Sequence, residues 1–159
     1  MQSLLKKVDN FNLETIYVGG GTPTSLSDQQ FEKLLQMLKP YTKHVIEYTF
    51  EANPESLSER KAELLSEYGV NRVSIGVEST DDTILKSINR HHTFNDVKKC
   101  VLNIQSCYIF QTRLLFNESI DDNYKFIQDS VNELCQLARN GKKIDDRLKE
   151  LEEEFDIQI

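Results

Sequence analysis

Thr15-Ile16-Tyr17-Val18-Gly19-Gly20-Gly21-Thr22-Pro23-Thr24 opens on four residues suited to a strand and stops on three glycines. β-Branched and aromatic side chains fit a pleated surface. Glycine lets the chain turn with positive φ and leaves room for a ligand to approach the backbone. Working outward, Ser27 with Gln30 reads as a capping box, and Leu26 can staple to Phe31. Phe31, Leu34, Leu35 and Leu38 then recur at helical spacing until Pro40 ends the run. A strand, a glycine turn and an amphipathic helix make one βα unit.

The pattern repeats. Val45 to Phe50 predicts a second strand, closed by Glu51-Ala52-Asn53-Pro54. Ser58 caps a helix to Tyr68, and Gly69 takes the left-handed position after it. Arg72 to Val77 predicts a third strand. Thr80-Asp81-Asp82 starts another helix, with carboxylates where the macrodipole favours them. Thr93 with Asp96 caps a helix to about Asn103, and a fourth strand is expected within 108–116. Asp121 or Asp122 opens a further helix ended by Gly141, and the charge-dense residues 142–159 read as a surface helix. The fold class is α/β, a partial (βα) barrel with a mainly parallel sheet and C-terminal helices. A barrel left open exposes a sheet edge, so self-association is expected.

Composition narrows the function. With 26 acidic and 19 basic residues the net charge is −7, which disfavours nucleic acid and anionic membranes as partners. No run of 18 apolar residues and no signal-peptide pattern occurs, so a cytoplasmic location is expected. Cys100, Cys107 and Cys135 match no zinc spacing, and no metal ligands are assigned. No Ser/His/Asp or Cys/His nucleophile arrangement is found, and no catalytic residue is assigned.

The glycine triplet alone is equally a tight structural turn. It gains meaning from its company: Glu51-Ala52-Asn53-Pro54, Gly69 to Ser79, and Asn89-Arg90-His91-His92-Thr93, in this order and at these separations. Together the four segments resemble the radical S-adenosylmethionine (SAM) core of the oxygen-independent coproporphyrinogen III oxidase and heme-chaperone family. The resemblance covers about residues 13–104, corresponding to the second to fourth βα units of a six-unit partial barrel. Residues 105–140 are divergent within a partial core spanning 1–140, and 141–159 form the tail.

The resemblance implies that Gly20, Gly21 and Thr22 receive the amino-acid end of SAM. It gives Glu51 hydrogen bonds from SAM polar groups, and Arg90 a charge-assisted contact to the SAM carboxylate. His91 and His92 belong to the motif around Arg90. Full-length relatives use SAM with a 4Fe–4S cluster in porphyrin or heme metabolism, so heme or porphyrin is the implied partner. Glu47 to Pro54 looks closer to the chaperone branch. Two departures stand out. Glu78 takes the place of the family's usual Gln, and Arg113 to Ser119 lacks the family's Asp and Gly-Leu-Pro turn. The Cys-x-x-x-Cys-x-x-Cys loop that holds the cluster is not found in the sequence, so the chain is expected to be inactive alone. A non-catalytic remnant or interaction module with a helical tail is the alternative.

Overall fold

The computed structural model describes residues 12–107, 109 and 111–116, together with positions 129, 132, 133, 136 and 150. Cys135, residues 117–119, most of the helix expected from Asp121 or Asp122, and almost all of the tail expected over 142–159 lie outside these.

Among the described residues four strands form one parallel sheet in the order β1-β2-β3-β4: Thr15–Val18, Glu47–Ala52, Arg72–Glu78 and Gln111–Phe116. Between them run α1 (Asp28–Leu38), α2 (Glu59–Glu67), α3 (Asp82–Ser87) and α4 (Phe94–Ser106). The expected α/β architecture is what the chain adopts. Short 3-10 turns at Pro23–Ser25 and Lys39–Tyr41 flank α1.

Local chemistry explains the boundaries. Ser27 and Gln30 form a reciprocal capping box on α1, as Thr93 and Asp96 do on α4. Hydrogen bonds from the Thr93 N–H and hydroxyl hold the Asp96 carboxyl below the usual carboxylate range. Asp81 caps α3 through the Thr83 and Ile84 N–H groups, which likewise lower its pKa. Gly69 ends α2 with φ of +79°.

Two boundaries differ from the sequence reading. Strand β2 covers Glu47–Ala52 rather than Val45 to Phe50. Val45 is tied into a turn through its N–H to the Thr42 carbonyl, while Glu51 and Ala52 continue the ladder opposite Ser74 and Ile75. Helix α4 runs on to Ser106, because buried Ile104 and Gln105 extend its inward face past Asn103.

The core lies between the helices and one face of the sheet. Phe31 and Leu35 of α1, Leu64 and Leu65 of α2, and Val97 and Ile104 of α4 pack there. They meet Tyr48 and Phe50 of β2 and Val73, Ile75 and Val77 of β3. The opposite face is polar, carrying Tyr17, Glu47, Thr49, Glu51, Arg72 and Ser74 in alternate positions. There Arg72 pairs with Glu47 at 2.8 Å.

Where the strands begin, Asn71 acts as an extra peptide group. Its Oδ1 accepts the Tyr48 N–H at 2.9 Å, and its Nδ2 donates to the Ile46 carbonyl at 2.8 Å. Its own N–H donates to the Tyr48 carbonyl at 3.1 Å. Strand pairing is thus carried back past the start of β3.

Candidate functional site

Parallel βα units place all strand C-termini on one side, and ligands bind at that edge in this architecture. Gly20, Glu51 and Glu78 meet this requirement, since each lies within two residues of the C-terminal end of one of three adjacent parallel strands. Gly20 and Gly21 adopt φ of +86° and +78°, and the space beside each Cα is open for at least 4 Å. Glu51 is tied to this turn. Its Oε2 accepts the Gly20 N–H at 3.1 Å, and its Oε1 accepts the Tyr17 hydroxyl proton.

Thr22 leads directly into the 3-10 turn, where its carbonyl accepts the Ser25 N–H at 2.9 Å. Its hydroxyl accepts from Asn53 Nδ2 at 3.1 Å. Asn53 therefore bridges the glycine turn and the end of β2. Gly76 leaves the space Asn53 needs, for a Cβ there would lie a tight 3.2 Å from Asn53 Oδ1, while Arg90 Nη2 at 3.9 Å would be in ordinary contact.

Arg90 pairs with Glu78, about a quarter of whose side chain is exposed. Glu78 has φ of +69°, a left-handed conformation for a residue with a Cβ, and it follows an irregularity in the β3–β4 register. Such irregularities re-aim a side chain. Here the re-aimed carboxylate meets the guanidinium.

The five positions matched in sequence thus sit in two groups, Gly20, Gly21, Thr22 and Glu51 around Asn53, and Arg90 beyond Gly76. Tyr17, Asn53 and Gly76 were not legible as members of the edge. The signal for Tyr17 and Gly76 is period two along β1 and β3, which puts Tyr17 on the face of Glu51 and Gly76 beneath Arg90, and the signal for Asn53 is its place directly after β2. His91 is exposed, while His92 is buried with Nε2 3.0 Å from the Val77 carbonyl and Nδ1 3.4 Å from Glu55. His92 is part of the packing beneath the edge.

Among the described residues no three His, Cys, Asp or Glu side chains gather as a metal site. Cys100 is buried in α4, and burial pushes its thiol up to about 12. A cluster ligand must be a thiolate, and a 4Fe–4S cluster is held by several gathered together. Buried Cys100 does not suit that role, and Cys107 has no companion ligands gathered beside it among the described residues. Anaerobic treatment with iron and sulfide should give no stoichiometric iron–sulfur chromophore. Iodoacetamide at pH 8 should modify half-buried Cys107 well before Cys100, as read by peptide mass spectrometry. A stable four-iron cluster, or equal labelling, contradicts this assignment.

Comparison with known proteins fits the geometry. The radical SAM superfamily model matches residues 1–129. Heme chaperone HemW of Bacillus subtilis is 45% identical over 101 residues, covering 61% of this chain and 26% of that protein. An anaerobic coproporphyrinogen III oxidase of Cereibacter sphaeroides is 39% identical over 88 residues, covering 54% of this chain and 20% of its own length. The chain spans about a quarter of the length of these curated relatives. Among solved structures, coproporphyrinogen III oxidase (HemN) of Escherichia coli, described as a radical SAM enzyme, superposes with a TM-score of 0.59. At 21% identity, over 65% of this chain and 24% of that one, this likeness concerns the fold.

Proposed function

The chain belongs to the radical SAM superfamily, and from that premise we propose that its strand-end edge is a weakened SAM site of the heme-chaperone and coproporphyrinogen-oxidase type. The observation that carries this is the glycine turn held to Glu51, with two open left-handed glycines facing outward. Gly20 and Gly21 offer backbone polar groups to the amino-acid end of SAM, Thr22 its hydroxyl, and Glu51 a carboxylate acceptor. Arg90 supplies the cation for the ligand carboxylate.

SAM, when bound, would supply a 5′-deoxyadenosyl group, and a 4Fe–4S cluster of the kind the family implies would supply the electron for its chemistry. The described cysteines do not fit such a cluster, so the role we assign to the residues at this edge is binding and orientation. Heme or a porphyrin is the partner we infer from the relatives. The second reading, a non-catalytic interaction module, is favoured by the pairing of Arg90 with Glu78 within the chain.

Weak affinity follows from that pairing, because Glu78 already engages one guanidinium nitrogen and sets a negative charge beside any ligand carboxylate that approaches Arg90. Calorimetry should give a SAM dissociation constant near millimolar, weakened by Glu51→Ala. Glu78→Gln frees Arg90 and removes a repulsive charge, so it should tighten binding about tenfold, equivalent to ~1.4 kcal/mol. A wild-type constant below roughly 10 μM, lost in Glu51→Ala, would show an intact site rather than a weakened one. Absence of binding at millimolar SAM would leave the interaction module.

A further inference from the structure

Lys61 breaks two local rules at once. It is the third residue of α2, where the helix macrodipole disfavours a cation, and it is buried. Removing an ammonium from water is costly unless it is hydrogen-bonded. Its Nζ donates to the Thr24 carbonyl at 2.6 Å and to the Ser56 carbonyl at 3.1 Å, with Asp28 Oδ1 at the limit of ion-pair range, 4.0 Å. Those carbonyls belong to different segments. Thr24 follows the glycine turn after β1, and Ser56 follows Asn53 after β2.

The same two segments meet in three more contacts. Thr24 Oγ1 lies 2.6 Å from Ser56 Oγ and accepts the Asn53 N–H at 3.4 Å, and Asn53 Nδ2 donates to Thr22 Oγ1 at 3.1 Å. Thr24 is fully buried. A cation with two carbonyl acceptors joins the segments whatever the orientation of the hydroxyls, whereas each hydroxyl contact needs a particular rotamer.

We propose that Lys61 is a positioning residue, whose ammonium clamps the glycine turn to the end of β2 and so fixes Gly20, Gly21 and Asn53 at the ligand edge. The ligand part of this inference rests on the SAM-site reading; the clamp itself does not. Lys61 touches neither Gly20 nor Glu51 in this arrangement and acts through Thr24 and Ser56.

Lys61→Met keeps the apolar stem and removes the ammonium. In ligand-free spectra it should displace the amide resonances of Gly20, Gly21 and Asn53, and it should weaken SAM binding at least fivefold. Val101→Ala, in the core of α4, serves as a stability control. It should lower the melting temperature without moving those amides or the affinity. Unmoved site amides in a folded Lys61→Met overturn the proposal, as does an equal displacement in Val101→Ala. If the wild-type chain binds no SAM, the ligand reading fails while the amides still decide the clamp. A measurement on the unaltered chain covers the case in which Lys61→Met does not fold. Acetic anhydride should acetylate exposed Lys33 and Lys99 at least tenfold faster than Lys61, and equal rates overturn the proposal.

Discussion

Phe50→Ala is expected to remove a large share of the stability of the sheet. Phe50 is fully buried at the centre of β2, edge-on to Phe31 of α1 with ring centroids 5.6 Å apart, and tilted against Tyr48 at the same distance. Its neighbour across the ladder, Val73, is equally buried. Truncation leaves a void bounded by a sheet on one side and a helix on the other, neither of which can collapse into it. Such substitutions cost about 3–5 kcal/mol against a total of about 5–15 for a domain. In urea, followed by circular dichroism, the midpoint should fall by about 2 M, using a slope of roughly 2 kcal/mol per molar. A fall below about 0.5 M would mean that the core lies elsewhere.

Gly19→Ala should act on the site. A methyl group on Gly19 would lie 2.5 Å from Glu51 Oε2 and 2.7 Å from the Tyr17 ring, closer than side-chain carbons approach other atoms. This close approach depends on Gly19 having no Cβ. The Glu51 carboxylate is the far end of a flexible side chain, so relief comes when it swings away. That movement breaks its bonds to the Gly20 N–H and the Tyr17 hydroxyl. A hydrogen bond to a charged group contributes about 1.5–3 kcal/mol, so withdrawing the Glu51 acceptor from the ligand is expected to cost about 2 kcal/mol in affinity, some thirtyfold. The test is a double-mutant cycle in SAM titrations. Once Glu51 is Ala, adding Gly19→Ala should cost almost nothing, since both changes act through one carboxylate. Additive losses would place the effect in the backbone instead.

The parallel sheet was readable because its signals are local. A strand that stops on glycine, a helix opened by Ser27 with Gln30, and a third strand two residues past Gly69 each follow from short-range geometry. Glu51 hid the true end of β2, because a charged residue beside Asn-Pro reads as a terminator, whereas the polar sheet face accommodates it. Lys61 stayed invisible for a similar reason. Within Glu59-Arg60-Lys61 it resembles a solvated helix face, and only the approach of Thr24 and Ser56 from outside the helix makes it a buried cation. Glu78 was legible as a departure from the family pattern, but not as the partner of Arg90, since that contact needs the left-handed turn at Glu78 itself.

The Asn71 amide joins β2 to the start of β3 at the opposite end of the sheet from Glu51 and Arg90. The Asn71 bonds run to Tyr48 and Ile46, none of them a residue of the ligand edge. Chemistry and architecture can therefore erode separately in this sheet. A lineage that loses its reaction at one end keeps a sheet that still pairs at the other, available for recruitment to a new use.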